Sequence, residues 1–376
     1  MDILDPVAIA RCKTYDPDLI LRLLREYAPK VGLTEKAIAG KNVVVKPNLL
    51  LAYRPEKAAT THPAVMEAVI RLVKEMSPAS VTIAESPGGI YNEKTLSHIY
   101  GETGMKGVSE RTEAPLNYDS SHRPFPLPDG LTAKNVDMII PVHEAEVVIN
   151  VCKLKTHALA TMTGAAKNLF GVIPGINKFE MHARFKKPSD FFSMVIDLNC
   201  ELDRKKTVFH LCDGIIGMEG DGPSGGTPKE AGVLLMSRNP FNLDTAAAAL
   251  MGFSGRVPLL TMAAERRLCP SDPAALAIEG IRPDEVGCGD FVLPDAKKGR
   301  RFDLIPPFLQ PKPYIDRAVC RGCQLCVKSC PQKTIVMVKG KAKIKDGSCI
   351  KCYCCQELCT FKAVKIKKSV IYRMLE

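Results

Sequence analysis

Residues 320–331 read CRGCQLCVKSCP, and residues 349–360 read CIKCYCCQELCT. Each stretch contains four cysteines with the spacing Cys-x2-Cys-x2-Cys-x3-Cys, and in the second stretch the additional Cys354 stands outside this spacing. The two stretches are offset by 29 residues. Thiolates at every third position let one tight loop hold three corners of an iron–sulfur cubane, while the fourth cysteine lies too far round and binds the other cubane. The two stretches therefore predict two 4Fe–4S clusters in one small C-terminal domain.

The crossed arrangement assigns four thiolates to each cluster. The first cluster takes Cys320, Cys323, Cys326 and Cys359, and the second takes Cys349, Cys352, Cys355 and Cys330. Zinc is the alternative, but zinc sites use paired cysteines rather than a run of three followed by a fourth. The ninth cysteine, Cys354, is interpreted as a spare thiol packed beside the cluster.

This region resembles the bacterial two-cluster ferredoxins over roughly residues 314–370. The resemblance implies a small α+β ferredoxin-like fold and the transfer of low-potential electrons. The chain departs from the family pattern at Thr360, where the family usually has proline. That position supplies no ligand, so the predicted clusters do not depend on it.

The composition predicts a cytoplasmic protein of an oxygen-poor cell. Fifteen cysteines that cluster in this way are typical of metal ligands in a reducing compartment rather than of a disulfide framework. Residues 1–10 contain Asp2 and Asp5 and have no basic segment of the kind that begins a secretory signal. No uncharged apolar run reaches the ~20 residues that a membrane span needs.

The net charge of +11 is concentrated near the C-terminal end, where residues 313–376 hold fourteen Lys and Arg against four Asp and Glu. A basic ferredoxin-type surface predicts an acidic redox partner protein, because complementary fields speed encounter. Nucleic acid is not expected as a partner, because the alternating lysines of residues 339–345 have no aromatic platform beside them. A solvated hairpin face would explain the same lysines.

A proline-rich stretch, residues 305–313, predicts a linker between a domain at residues 1–304 and the cluster domain at residues 314–376. An ordinary surface loop is the alternative. In the larger domain, residues 43–45, 80–84, 146–151 and 208–212 read as strands, and residues 62–76, 191–202 and 243–252 read as helices, the first with Thr61 as its cap. Strands separated by helices predict an α/β fold with a mostly parallel sheet and flanking helices.

Polar residues follow the predicted strands, at Lys46, Glu85, His157 and Asp213. Ligands of open α/β sheets bind beyond the carboxyl ends of the strands, so these residues predict one shared pocket. A passage of small residues, 161–175, contains Lys167, which favours an anionic small-molecule substrate. We take Lys46, His157 and Lys167 as the candidate catalytic residues. Structural roles in the core are the alternative for each of them.

These same residues resemble the family named domain of unknown function 362. The matching stretches are residues 46–48 (KPN), 61–63 (THP), 153–157 (KLKTH) and 167–171 (KNLFG), and the resemblance covers most of residues 40–250. Members often carry an attached ferredoxin domain, and the family name implies no activity. Two functions stay open: a reductase in which the clusters pass electrons to an anionic substrate or cofactor at the pocket, and a non-catalytic carrier or assembly factor that docks an acidic partner. No fingerprint of a nucleotide cofactor follows a predicted strand.

Overall fold

The computed structural model describes residues 1–175, 177–295, 311–345 and 347–367. Its strands are β1 (Val7–Arg11), β2 (Asn42–Lys46), β3 (Ser80–Ile83), β4 (His122–Pro126), β5 (Asn135–Ile139), β6 (Val147–His157), β7 (Thr161–Thr163), β8 (Thr207–Glu219), β9 (Thr227–Ser237), β10 (Ile278–Gly280), β11 (Lys312–Ile315), β12 (Ile335–Val338), β13 (Lys341–Ile344) and β14 (Val364–Lys367).

The α-helices alternate with these strands through the larger region. They are α1 (Pro17–Tyr27), α2 (Glu35–Ile38), α3 (Pro63–Glu75), α4 (Glu93–Glu102), α5 (Met105–Thr112), α6 (Ile140–Glu144), α7 (Ala165–Asn168), α8 (Asn177–Arg184), α9 (Pro188–Lys205), α10 (Pro240–Leu250), α11 (Pro258–Glu265), α12 (Leu325–Lys328) and α13 (Cys354–Glu357). None of the described helices is long and apolar enough to cross a membrane.

The N-terminal region is built on one eight-stranded sheet with the order β10-β1-β9-β8-β6-β2-β3, and β7 pairs with β6. The pairs β3–β2, β2–β6, β6–β8 and β1–β10 are parallel, whereas β9 runs against both of its neighbours. Helices cover both faces of this sheet. The predicted α/β fold with a mostly parallel sheet is therefore confirmed.

Strand β2 shows why both faces are covered. Val43 and Val45 point into the core formed with α1 and α3, and Val44 between them points into the opposite core formed with α9. Successive side chains of a strand alternate between faces, so a run of valines has to be buried on both sides. Helix α3 begins at Pro63, and its cap is His62 rather than Thr61, since His62 Nδ1 accepts a hydrogen bond from the backbone N–H of Ala64.

Two central strands continue past the ends predicted from sequence. Strand β6 extends to His157 and β8 extends to Glu219, each through an irregularity in the pairing. Strand β8 continues because it pairs with β9, the antiparallel strand that follows it in the chain. Asp213 consequently lies within β8 and not at its end.

The C-terminal region is small and follows the 29-residue repeat. It holds two antiparallel pairs, β11 with β14 and β12 with β13, together with the one-turn helices α12 and α13. This is the predicted small α+β fold. Strand β11 begins at Lys312, inside the predicted linker, and residues 305–310 of that linker lie outside the described residues.

Candidate functional site at the junction of the two regions

The cysteines of the C-terminal region come together in two sets. A small cavity with apolar walls is lined by Cys330, Cys349, Cys352 and Cys355, which is the set assigned above to the second cluster. For Cys326, burial and then the neighbouring thiols of Cys359, Cys323 and Cys320 raise the pKa to about 11. In each set, three cysteines of one motif face the fourth cysteine of the other.

This donor set fits a cubane better than a single ion. No group of three or more His, Cys, Asp or Glu side chains among the described residues is arranged to hold one metal ion. A cubane instead distributes its four thiolates over four irons, so the thiolates surround a cavity. All fifteen cysteines are free thiols, so none of them takes part in a disulfide bond.

Backbone N–H groups support the last cysteine of each motif. The N–H of Thr334 lies 3.4 Å from Cys330 Sγ, and the N–H of Ala363 lies 3.2 Å from Cys359 Sγ. Both donors stand four residues after their cysteine, so the repeat preserves the contact. Hydrogen bonds to cluster sulfurs are among the features that set reduction potentials.

Helix α13 joins the two regions. It contains Cys355 and Glu357 and is followed by Cys359, so it lies between ligands assigned to both clusters. The Ser224 hydroxyl donates a hydrogen bond of 3.0 Å to the carbonyl of Glu357, and the Glu357 carboxylate lies 3.0 Å from His157 Nε2. The β8–β9 loop and the end of β6 are therefore in direct contact with the cluster domain.

A cavity of about 90 Å³ lies at this junction. Its polar lining comes from the strand ends and from α7, α8 and α13. The lining residues are Asn48, Leu50, Glu85, Ser86, Pro87, Gly88, Lys155, His157, Thr163, Lys167, Asn168, Phe170, Gly171, Lys178, Phe179, His182, Pro223, Cys354, Glu357 and Leu358. Both regions thus contribute walls to one cavity, and the thiol of Cys354 stands between the second set of cysteines and this space.

His157 presents an N–H group to the cavity. Its Nδ1 accepts hydrogen bonds from the backbone N–H groups of Leu159 and Ala160, so the proton of the neutral ring is on Nε2. Nε2 lies near Glu357 but off the line of a hydrogen bond, and has no hydrogen-bond partner among the residues that the structure describes. Burial, and then the charge of Lys167, lower the pKa of His157 to about 4. The imidazole is therefore neutral at pH 7.

Glu357 is an ionised carboxylate in a largely buried position, with its side chain 16% exposed. Burial by itself would raise the pKa of Glu357, but the close contact with His157 and then the charge of Lys167 bring that pKa down to about 2. The cluster domain thus places a negative charge inside a cavity whose other wall is rich in lysine. Sequence reasoning missed Glu357, because its closeness to His157 depends on how the two regions pack.

Two further lysines line the cavity. Lys155 donates to Asn48 Oδ1 at 2.6 Å and to the Ala59 carbonyl at 2.5 Å, and Lys178 donates to the Ser86 carbonyl. Burial lowers the pKa of each ammonium to about 7. Lys155 belongs to the KLKTH stretch quoted above, which was the available signal, whereas no sequence feature singled out Lys178.

Of the three predicted catalytic residues, His157 and Lys167 line the cavity and Lys46 does not. The Lys46 ammonium is fully buried, pairs with Glu85 Oε2 at 2.9 Å and donates to the Pro47 carbonyl at 3.1 Å. The Lys167 ammonium is half-buried, lies 5.9 Å from the centre of the Phe170 ring, and makes no ion pair among the described residues. Lys46 therefore holds the Glu85 carboxylate in place, whereas the Lys167 ammonium can contact a ligand in the cavity.

Asp213 does not line the cavity and belongs to a separate polar cluster. Its carboxylate accepts from Lys153 Nζ at 2.8 Å and from the Tyr15 hydroxyl at 3.1 Å. The Tyr15 ring stacks on His62 at 3.6 Å between ring centroids. The pocket expected from four strand ends is thus formed by three of them, because β8 does not end at Asp213.

Gly171 gives the first testable prediction. A Cβ at this position would lie 2.5 Å from Lys46 Nζ and 2.7 Å from Glu85 Oε1, so any side chain would push into the buried ion pair. We expect Gly171→Ala to lower the free energy of unfolding by about 1–3 kcal/mol, the usual cost of overpacking. Gly101→Ala in helix α4 is the control, because its Cβ meets no atom within 4 Å and should stabilise slightly. Equal destabilisation of both variants in urea titrations would contradict the close contact.

Comparison with known proteins matches two separate stretches of the chain. The family described as domain of unknown function (DUF362) matches residues 43–249, and a 4Fe-4S dicluster domain matches residues 312–360. A protein of Synechocystis sp. named as thylakoid-associated is 29% identical over 304 residues, which cover 79% of this chain and 90% of that protein.

Two solved structures match this chain at low similarity. The lactate racemase apoprotein of Thermoanaerobacterium thermosaccharolyticum is 14% identical with a TM-score of 0.39, and a Thermotoga maritima protein from a structural genomics consortium is 10% identical with a TM-score of 0.37. The matches cover 67% and 58% of this chain and 58% and 55% of those chains. Since the family match spans more than half of its residues, this chain belongs to the family of domain of unknown function (DUF362) and carries a 4Fe-4S dicluster domain.

Proposed function

We propose that the protein is a cytoplasmic iron–sulfur oxidoreductase of oxygen-poor cells, whose two 4Fe–4S clusters relay low-potential electrons to an anionic substrate or cofactor in the junction cavity. The dicluster domain supports iron–sulfur electron transfer in general. The observation that carries the specific proposal is the position of α13, which runs from Cys354 to Glu357 and forms one wall of the cavity. The free state of every cysteine supports a reducing compartment.

The cysteine sets support a direct route into the cavity. When bound, the clusters supply single electrons. One cysteine of the second set, Cys355, lies on the same helix as two lining residues, Cys354 and Glu357. We accordingly assign Cys320, Cys323, Cys326 and Cys359 to one cluster and Cys349, Cys352, Cys355 and Cys330 to the other. On this assignment the second cluster is the one next to the substrate.

The residues of the N-terminal wall bind the substrate and handle protons. Lys167 supplies a positive charge that no described residue neutralises, and His157 presents its Nε2–H to the same space. Lys46 holds the Glu85 carboxylate in the cavity wall and acts as a positioning residue. A neutral imidazole can donate a hydrogen bond from its Nε2–H to a substrate oxygen, and the Lys167 ammonium can supply a proton.

The proposal predicts that pocket variants lose electron transfer but keep their clusters. In anaerobic stopped-flow experiments, the dithionite-reduced protein is mixed with a panel of anionic acceptors, and cluster reoxidation is followed by absorbance. We expect His157→Gln and Lys167→Met to slow reoxidation by an active acceptor by roughly 10²–10⁴-fold, the usual contribution of a positioned acid–base group. Lys41→Met, which changes an exposed lysine far from the cavity, should behave like the unchanged protein.

The alternative function is a non-catalytic carrier or assembly factor that docks an acidic partner protein. Lys339, Lys343 and Lys345 are exposed on the β12–β13 hairpin, and Cys323 is exposed in the same small domain. In that case His157→Gln and Lys167→Met would leave electron transfer unchanged. Replacing the three hairpin lysines by glutamine would slow it, and added salt would do the same.

A further inference from the structure

Several N–H donors around the junction cavity have no acceptor among the described residues. An ammonium has three N–H donors and no acceptor. Lys155 uses two of them on Asn48 and Ala59, and Lys178 directs its ammonium at the carbonyl and hydroxyl of the single residue Ser86. Lys167 uses none on any described residue, and His157 Nε2–H has no hydrogen-bond partner there.

The balance of charges around the cavity also favours a bound anion. Four lysines, Lys46, Lys155, Lys167 and Lys178, stand against two carboxylates, those of Glu85 and Glu357. Lys46 and Glu85 neutralise one another as a buried pair, which leaves three ammonium groups against one further carboxylate, that of Glu357. Buried cations without partners are costly, so the cavity is completed by an anion that accepts several hydrogen bonds.

The size of the cavity restricts that anion. The free volume is about 90 Å³, and apolar side chains such as Phe170, Phe179 and Leu358 form part of the walls. This space admits a ligand of a few heavy atoms. Glu357 is the one carboxylate that the cluster domain places in the cavity lining, so it repels any anion that enters.

We propose that the cavity binds a small oxyanion, such as a monocarboxylate or an inorganic oxyanion, through the unused N–H donors of Lys155 and Lys178 together with Lys167, and that Glu357 limits the affinity by charge repulsion. This inference rests on the proposed function in taking the junction cavity as the substrate site. It adds the chemical class of the ligand, two binding residues, and a group that opposes binding.

Affinity for the oxyanion decreases as pH rises. The free ammonium groups of Lys155 and Lys178 have pKa values of about 7, lowered mainly by burial. Lys155 faces Lys167, Glu357, Lys153 and Glu85, and Lys178 faces Glu85, Lys46 and Lys167. The anion stabilises the protonated form of each lysine, so binding is tightest below pH 7 and weakens as both lose their protons.

The test is isothermal titration of the cluster-loaded full chain with formate, acetate and inorganic phosphate. Each charge-assisted hydrogen bond removed should weaken binding on the order of 10–100-fold, so Lys155→Met and Lys178→Met lose affinity. The isosteric Glu357→Gln should bind severalfold more tightly, which a merely damaged fold would not do. Lys41→Met is the surface control, and preserved circular dichroism and cluster absorbance show that each variant is folded.

The outcomes separate this inference from the proposed function. Binding of acetate and formate but not phosphate identifies a carboxylate ligand, and the reverse identifies an inorganic oxyanion. Titrations without heat for all three probes, or affinities that none of the three variants changes, overturn the inference. Oxyanion binding without any cluster reoxidation would contradict only the reductase. Reoxidation by another anionic acceptor that His157→Gln abolishes, with none of the three small oxyanions bound, would contradict only the oxyanion site.

Discussion

Replacement of Cys330 by alanine is expected to remove the cluster held by the second cysteine motif and to leave the cluster of the first motif in place. Cys330 is in the first motif, yet it lines the same cavity as Cys349, Cys352 and Cys355. The iron content of anaerobically reconstituted protein should fall from about eight to about four per chain, because one cubane of two loses a ligand. Iron analysis and electron paramagnetic resonance of the reduced protein measure the loss.

Paired variants test the crossing of the ligands. Cys330→Ala and Cys352→Ala should leave the same residual spectrum, that of the first cluster. Cys359→Ala and Cys323→Ala should leave the other. Cys354→Ala is the control with both clusters retained, since Cys354 belongs to neither set of four cysteines. A shared residual spectrum for Cys330→Ala and Cys323→Ala would show uncrossed ligation, and stoichiometric zinc would overturn the iron–sulfur assignment altogether.

Replacement of Lys46 by methionine is expected to lower the free energy of unfolding by about 3–5 kcal/mol, as for other buried ion pairs that lose one member. The Lys46 and Glu85 side chains are 0% and 3% exposed and lie 2.9 Å apart, so the variant leaves a carboxylate buried beside an apolar group. Chemical denaturation at pH 7 followed by circular dichroism measures the change. If Lys46 were instead only a catalytic group at the cavity surface, its loss would cost activity and little stability.

The chain supplies a matched control for this variant. Lys41 and Glu146 form the same kind of pair at 3.0 Å, but their side chains are 47% and 45% exposed. Lys41→Met should therefore cost about 0–1 kcal/mol, because water screens an exposed pair. The double variant Lys46→Met with Glu85→Gln should recover part of the loss, since it removes the stranded charge. A similar cost for the two single variants would falsify the burial argument.

The features that could be predicted from sequence depend on short spacings and on local patterns. The cysteine sets follow from the short spacing within each motif, where two or three residues separate successive cysteines. The valines of β2 identify a strand that is buried on both faces. His157 and Lys167 were found because polar residues beyond strand ends gather at one edge of such a sheet.

The remaining features depend on contacts between distant parts of the chain. Glu357 reaches His157 across 200 residues, and Lys178 reaches Ser86 across 92, so no local pattern indicated either contact. Lys46 stands at a strand end as predicted, but the pairing of β2 with β3 places Glu85 beside it. The Glu85 carboxylate then neutralises the charge of Lys46. Asp213 was misplaced because the antiparallel partner β9 extends β8 beyond the predicted end.

Glu357 and Leu358 give the cluster domain a second consequence for the chemistry. Both are part of the cavity wall, so on the proposed function the domain that supplies electrons also covers part of the acceptor site. That cover would restrict the access of dioxygen and water to a partly reduced intermediate. A chain truncated before residue 311 would lose this wall, and a separately added ferredoxin could restore the supply of electrons without restoring the cover.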